Sequence, residues 1–198
     1  RAGILLIGFS LIAFAVPVFW LGHLLRLGFA SGLGWFPVQG MTDPRADYDG
    51  LSHILDVMRH ATLPWITLTL HQLAFTVLIT RAAIRHEVKR PYFLTALAKG
   101  ISLWRAEWRH ALPNGAAPLL TLFGNRVGWL ITGAVLIETV FAWPGLGQLV
   151  GDAIQNRDYP LVIGVVLTGA IFTMAANLVA DLALLAVDPR AREWTAQA

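Results

Sequence analysis

The stretch YPLVIGVVLTGAIFTMAANLVA, residues 159–180, contains no charged residue. As a helix it would reach about 33 Å at 1.5 Å per residue, close to the roughly 30 Å of a bilayer's hydrocarbon core. Residues 2–22 and 61–80 are also free of charge over similar lengths. The composition of the whole chain agrees: of 198 residues, 56% are hydrophobic and only 14% charged, where a soluble domain averages about 25% charged. That balance excludes a disordered chain and argues against an ordinary soluble enzyme. The expected fold class is all-α, a polytopic bundle of membrane helices.

Four spans are expected. The first covers residues 2–25 with Pro17 inside it, which membrane helices tolerate where neighbours satisfy the freed carbonyl. The second covers 63–80. The third, 119–141, is the least apolar and has Arg126 and Glu138 near its ends. The fourth covers 161–187, with Asp181 in its last third. Between them lie a loop at 26–62 with Asp43, Asp47, Asp49 and Asp56, a basic segment at 81–118, and a loop at 142–160. The last loop opens with Trp143-Pro144-Gly145-Leu146-Gly147, an interfacial turn, and continues into a short helix over 148–154. Residues 1–198 thus read as a single transmembrane domain. Arg1 runs straight into a span, with no start methionine and no signal-peptide pattern, so the chain is expected to be a piece of a longer protein lacking an N-terminal part.

Lysine and arginine orient it. Arg81, Arg85, Lys89, Arg90, Lys99, Arg105, Arg109, Arg1, Arg190 and Arg192 lie on one side, against Arg26, Arg45, Arg59 and Arg157 on the other. The positive-inside rule places the 81–118 segment and both termini in the cytoplasm and the aspartate-rich loop outside. The net charge of +3 is small, and its basic residues gather at one membrane face, so no nucleic acid partner is required. The absence of cysteine removes disulfides, thiolate metal sites and cysteine nucleophiles.

Within the basic segment, good helix formers precede Gly100, a residue type common just past a helix end. A second helix is expected after it, with Ile101, Trp104, Trp108 and Ala111 sharing one face and Ser102, Arg105 and Arg109 another. Pro113 disfavours a helical conformation at Leu112. By composition alone this is an interfacial amphipathic hairpin with arginines near lipid headgroups.

The residues also resemble a family. Ala96-Leu97-Ala98-Lys99-Gly100, followed by His110-Ala111-Leu112-Pro113-Asn114, resembles the EAA cytoplasmic loop of ABC-transporter permeases. Pro17-Val18-Phe19-Trp20-Leu21-Gly22, Gly34-Trp35-Phe36-Pro37-Val38-Gln39-Gly40 and Glu138-Thr139-Val140-Phe141-Ala142-Trp143-Pro144-Gly145-Leu146-Gly147 narrow it. With Arg157-Asp158-Tyr159-Pro160 and Asp188-Pro189-Arg190, they are similar to the dipeptide/oligopeptide/nickel importer group, in order along nearly the whole chain. Leu97 and Pro113 depart from the arginines often found there.

The resemblance implies a type I importer permease with six spans, of which four are present here, in a bacterial inner membrane. It implies a second permease subunit, two cytoplasmic ATPases and an external solute-binding protein as partners. It covers importers of dipeptides, longer peptides, nickel chelates and glutathione. The ATPase-docking set it implies is Ala96, Ala98, Lys99, Gly100, His110, Leu112 and Asn114, within residues 85–118. No Gly-x-x-x-x-Gly-Lys-Ser/Thr loop occurs, so ATP is expected on the partner subunits, with no cofactor in this chain and no catalysis by it.

Other polar groups have open readings. Arg126, Glu138 and Asp181 could line a pathway, pair helices or sit at the interface. Gly124 and Gly128 suit close helix packing. No histidine pair has metal-ligand spacing, and no calcium loop is present, so no metal is expected. The alternative function is an intramembrane enzyme using His71, Glu138 and Asp181, or a secondary transporter with its own ion coupling.

Overall fold

The computed structural model describes residues 2–46 and 48–187, with the side chains of 2–6, 184–187 and several within 116–127 outside the description. Asp47 and Asp188-Pro189-Arg190 therefore lie outside the described residues, as do the surroundings of Gly124. Every regular element among the described residues is helical: α1 (Ala2–Ala15), α2 (Val18–Leu25), a π-helical segment (Arg26–Gly32), α3 (Leu51–Glu87) and α4 (Pro91–Ala98). After these come α5 (Leu103–Ala106), a second π-helical segment (Glu107–Ala111), α6 (Leu112–Asn114), α7 (Ala116–Phe141), α8 (Leu146–Gln155) and α9 (Tyr159–Val187).

α3 and α9 are each long and apolar enough to cross a bilayer alone. Two further candidates are bent pairs: α1 with the helical stretch 18–32, and the end of α7 with α8. The first span, expected over 2–25, is broken at Pro17. The chain turns by 105° between the helices flanking Pro17. Pro17 has extended geometry (φ −55°, ψ 138°). Its missing N–H and its ring, which disfavours helix at Val16, end α1 at Ala15. The 14 residues of α1 reach only about 21 Å.

The 26–62 loop is also shorter than expected. It begins with the π-helical Arg26–Gly32 and ends where α3 starts at Leu51. α3 has 37 residues, about 55 Å, so its polar ends continue as helix well beyond an apolar core of about 30 Å. Once a helix is nucleated, each added residue contributes a hydrogen bond without a new nucleation cost. Hydropathy therefore marked the greasy middle of this helix and not its ends.

The chain forms two compact units. One comprises Arg1–Phe75 and Trp129–Ala170. Its core contains Val18, Ala30, Leu63, Ile137, Val140 and Phe141, all buried. Gly22 permits close packing of α2 on α7: a Cβ there would lie 3.2 Å from Ile137 Cδ1 and 3.4 Å from Val140 and Phe141. Gly22→Leu should overpack this contact, at about 1–3 kcal/mol. The expected result is a clear loss of membrane abundance on immunoblots of expressed permease; normal abundance would refute tight packing there.

The other unit comprises Thr76–Gly128 and the C-terminal part from Ile171. Here Gly128 lies against α9, where an added Cβ would stand 2.9 Å from Thr173 Cγ2. Small residues allow membrane helices to approach this closely. Gly115 similarly admits Ala83, whose Cβ would be 3.5 Å from a Cβ at Gly115.

Candidate functional site

The segment between α3 and α7 is built around a small apolar pit. Phe93, Ala106 and Ala111 are completely buried, with Ile84, Val88, Leu97 and Ile101 packed around them. Proline at the first position of α4 suits a helix start, where its missing N–H has no helical partner to lose. The Tyr92 hydroxyl donates to Glu87 Oε2 at 2.7 Å, tying α4 to the end of α3. Partial burial and the Glu87 carboxylate hold the Tyr92 phenol above its ordinary range. α4 then ends at a bend. Gly100 has φ +83° and its N–H donates to Leu97 O at 2.9 Å, while Ile101 N–H reaches back to Ala96 O at 3.3 Å. This is the left-handed glycine stop anticipated from the residues.

The return arm differs from expectation in two ways. Trp104 and Trp108, expected on one face with Ile101 and Ala111, do not share the burial of Ala111; they are 70% and 58% exposed, with ring centroids 6.1 Å apart. The buried pair is Ala106 and Ala111, five residues apart, because residues 107–111 are π-helical and the wider turn rotates the faces. Leu112 is helical after all (φ −64°, ψ −47°), despite Pro113. The π-helical segment just before it widens the helix where the proline ring would meet a carbonyl one turn back.

The structure divides the expected docking residues. Ala98, Lys99 and Gly100 are exposed at the bend. Ala96 is buried and belongs to the support beneath them. His110 and Leu112 are half-buried, and among the described residues the buried His110 Nε2 has no hydrogen-bond partner. Asn114 is exposed, and its amide donates to His110 O at 2.7 Å, closing the arm immediately before α7.

The α7–α8 connection is organised by charge. Glu138, on α7, accepts the Gly147 N–H through Oε2 at 2.5 Å. It thereby satisfies one of the free donors at the start of α8, where a carboxylate also suits the helix dipole. A Cβ on Gly145 would collide with this carboxylate, and one on Gly147 would lie 2.6 Å from Val135 Cα and O. The preceding helix end is closed by two groups: Arg26 Nη1 donates to Val140 O at 2.5 Å, and Gly40 N–H to Phe141 O at 2.8 Å. A cation at a helix C-terminus and donors on its last carbonyls are what an apolar setting demands of irregular backbone.

With this geometry established, the family described as binding-protein-dependent transport system inner membrane component matches residues 1–193. The chain belongs to this family. It is 39% identical over 197 residues to the di/tripeptide transport system permease protein DppB of Pseudomonas aeruginosa, covering 92% of this chain and 59% of that protein. It is 34% identical over 181 residues to the oligopeptide transport system permease protein AppB of Bacillus subtilis, covering 91% and 56%. The dipeptide transport system permease protein DppB of Escherichia coli K12 is 34% identical over 203 residues, covering 94% and 60%. The chain thus spans about three fifths of the length of these relatives. It is a multi-pass inner-membrane component with an all-α fold.

Within this binding-protein-dependent transport component, the remaining polar candidates take separate places. Glu138 caps α8 in one unit. Arg126, half-buried on α7, and Asp181, exposed on α9, belong to the other. His71 is buried and stacked on Trp129, with centroids 4.5 Å apart and planes at 9°, and Phe14 is 5.6 Å away. His71 thus packs on aromatic rings, while the Glu138 carboxylate engages a backbone N–H. Among the described residues no three histidines or carboxylates gather as a metal would need. Sequence reasoning missed Arg26 as a partner of α7, counting it only as a loop cation. Its one signal was an arginine beside the Pro17–Gly22 motif, too short-ranged to reveal a contact across 114 positions.

Proposed function

We propose that this chain forms part of the translocation pathway in an ATP-driven importer of peptides or a related small solute. In this reading it works beside a second permease subunit, receives solute from an extracytoplasmic binding protein and is driven by two cytoplasmic ATPase subunits. The observation that carries the coupling role is the Ala98-Lys99-Gly100 bend, exposed but rigidly backed by buried Phe93, Ala106 and Ala111. A rigid protrusion joined through a short arm to the span α7 can transmit a push from a partner to the pathway. Ala98, Lys99 and Gly100 make the contact, Ala96 supports it, and His110, Leu112 and Asn114 set the join to α7. The peptide-transport relatives support the solute class.

The chain itself binds no ATP in this proposal, because its sequence has no phosphate-cradling loop. The purified permease should show background ATP hydrolysis, rising only when ATPase subunits are added. Hydrolysis that persists after every partner is removed would refute it.

The same reading fixes sidedness. In this cysteine-free chain, Asp49→Cys should react with an impermeant maleimide from outside intact cells. Lys99→Cys should react only in inverted vesicles. The reverse pattern would place the bend on the wrong side for an ATPase.

A further inference from the structure

In the unit that holds the bend, an open groove of about 540 Å³ lies between α3 and the return arm. Val77 and Ile84 form its apolar wall, with Thr80, Arg81 and Arg85 beside them on α3 and Glu107 from the arm. Arg81 and Arg85 are one helical turn apart, so their side chains leave the same face. No hydrogen bond or ion pair joins either guanidinium, or the Glu107 carboxylate, to another described residue. Two cations and one anion line the same space without closing on one another.

We propose that this groove seats the headgroup of an aminophospholipid. Arg81 and Arg85 take the phosphate through charge-assisted donors. Glu107 takes the primary ammonium, and one acyl chain runs along Val77 and Ile84. A simple anion would leave the carboxylate opposed to like charge, whereas a zwitterion with phosphate and ammonium satisfies all three groups. The groove opens at the basic end of the α3 apolar stretch, where phospholipid headgroups lie and where basic pockets between helices recognise them. The exposed Trp104 and Trp108 flank Glu107 in sequence, and tryptophan favours the same interfacial depth. This inference does not depend on the solute or on ATPase coupling.

The test is native mass spectrometry of the full permease complex, purified in detergent and exchanged with phosphatidylethanolamine, phosphatidylglycerol or phosphatidylcholine. Phosphatidylethanolamine should be retained about tenfold more than phosphatidylcholine, whose quaternary nitrogen cannot donate a hydrogen bond to Glu107; one charge-assisted hydrogen bond corresponds to that ratio. Arg81→Gln with Arg85→Gln should abolish retention of both phosphatidylethanolamine and phosphatidylglycerol. Arg81→Lys with Arg85→Lys should restore it, which separates lost binding from lost folding. Glu107→Gln should remove the preference for phosphatidylethanolamine over phosphatidylcholine and leave the phosphate contact. Equal retention of all three lipids, no effect of the double glutamine variant, failure of the lysine rescue, or a preference unchanged by Glu107→Gln would each overturn the proposal.

Discussion

Gly100→Glu is expected to abolish transport while leaving the permease in the membrane at normal abundance. Gly100 has φ +83°, and, its two chain neighbours aside, no atom of the described residues lies within 4 Å of where its Cβ would be. The side chain therefore meets no steric barrier among the described residues, and the penalty is the left-handed backbone itself, about 1 kcal/mol. That is small beside the insertion of the apolar spans, which gain several tenths of a kcal/mol per apolar residue. The bend, however, aims Ala98 and Lys99, and a new carboxylate beside Lys99 would have to be desolvated on docking. Transport and ATPase co-purification should fall together while immunoblot abundance holds. Gly100→Asn, a residue that tolerates positive φ, should retain most of the activity. Normal transport by Gly100→Glu would reduce the segment to an interfacial hairpin.

The second large effect is expected at the α7–α8 turn. Glu138→Ala removes the acceptor of the Gly147 N–H. An orphaned amide in a half-buried, apolar setting costs about 1–3 kcal/mol. Glu138→Gln keeps a carbonyl acceptor and should lose roughly half as much, because charge-assisted bonds are about twice as strong as neutral ones. Gly147→Ala should be at least as damaging as Glu138→Ala, since its Cβ would press on Val135 backbone atoms that cannot rotate away. Thermal unfolding of the purified permease should order the variants as native, Gln, then Ala. Should alanine and glutamine be equally damaging, the carboxylate's charge matters and its acceptor role does not.

Much of this was legible along the chain because it depends on near neighbours. The uncharged run at 159–180 became α9, Tyr159–Val187, and the Gln148 region became α8. Gly100 fell at positive φ, as a glycine after an alanine-rich helix should. The docking set, by contrast, was a list of motif positions. Only packing separates Ala96, turned into the support, from Ala98 and Lys99, turned outward.

The sequence by itself determined which segments are apolar enough for a bilayer, which segment gathers the cations and where glycine must end a helix. These follow from hydropathy and backbone sterics within a few residues. Tertiary structure decided what Pro17 does, because a proline can be held within a span or turn the chain, and here the turn is 105°. It decided that Trp104 and Trp108 stand outside while Ala106 and Ala111 go inside, because a π-helical turn shifts the period from which any face is read. It also assigned Arg26 to Val140, and Glu138 to Gly147, turning isolated charges into helix caps. Such pairings join groups brought together by packing, and no local pattern of residue types encodes the distance between them.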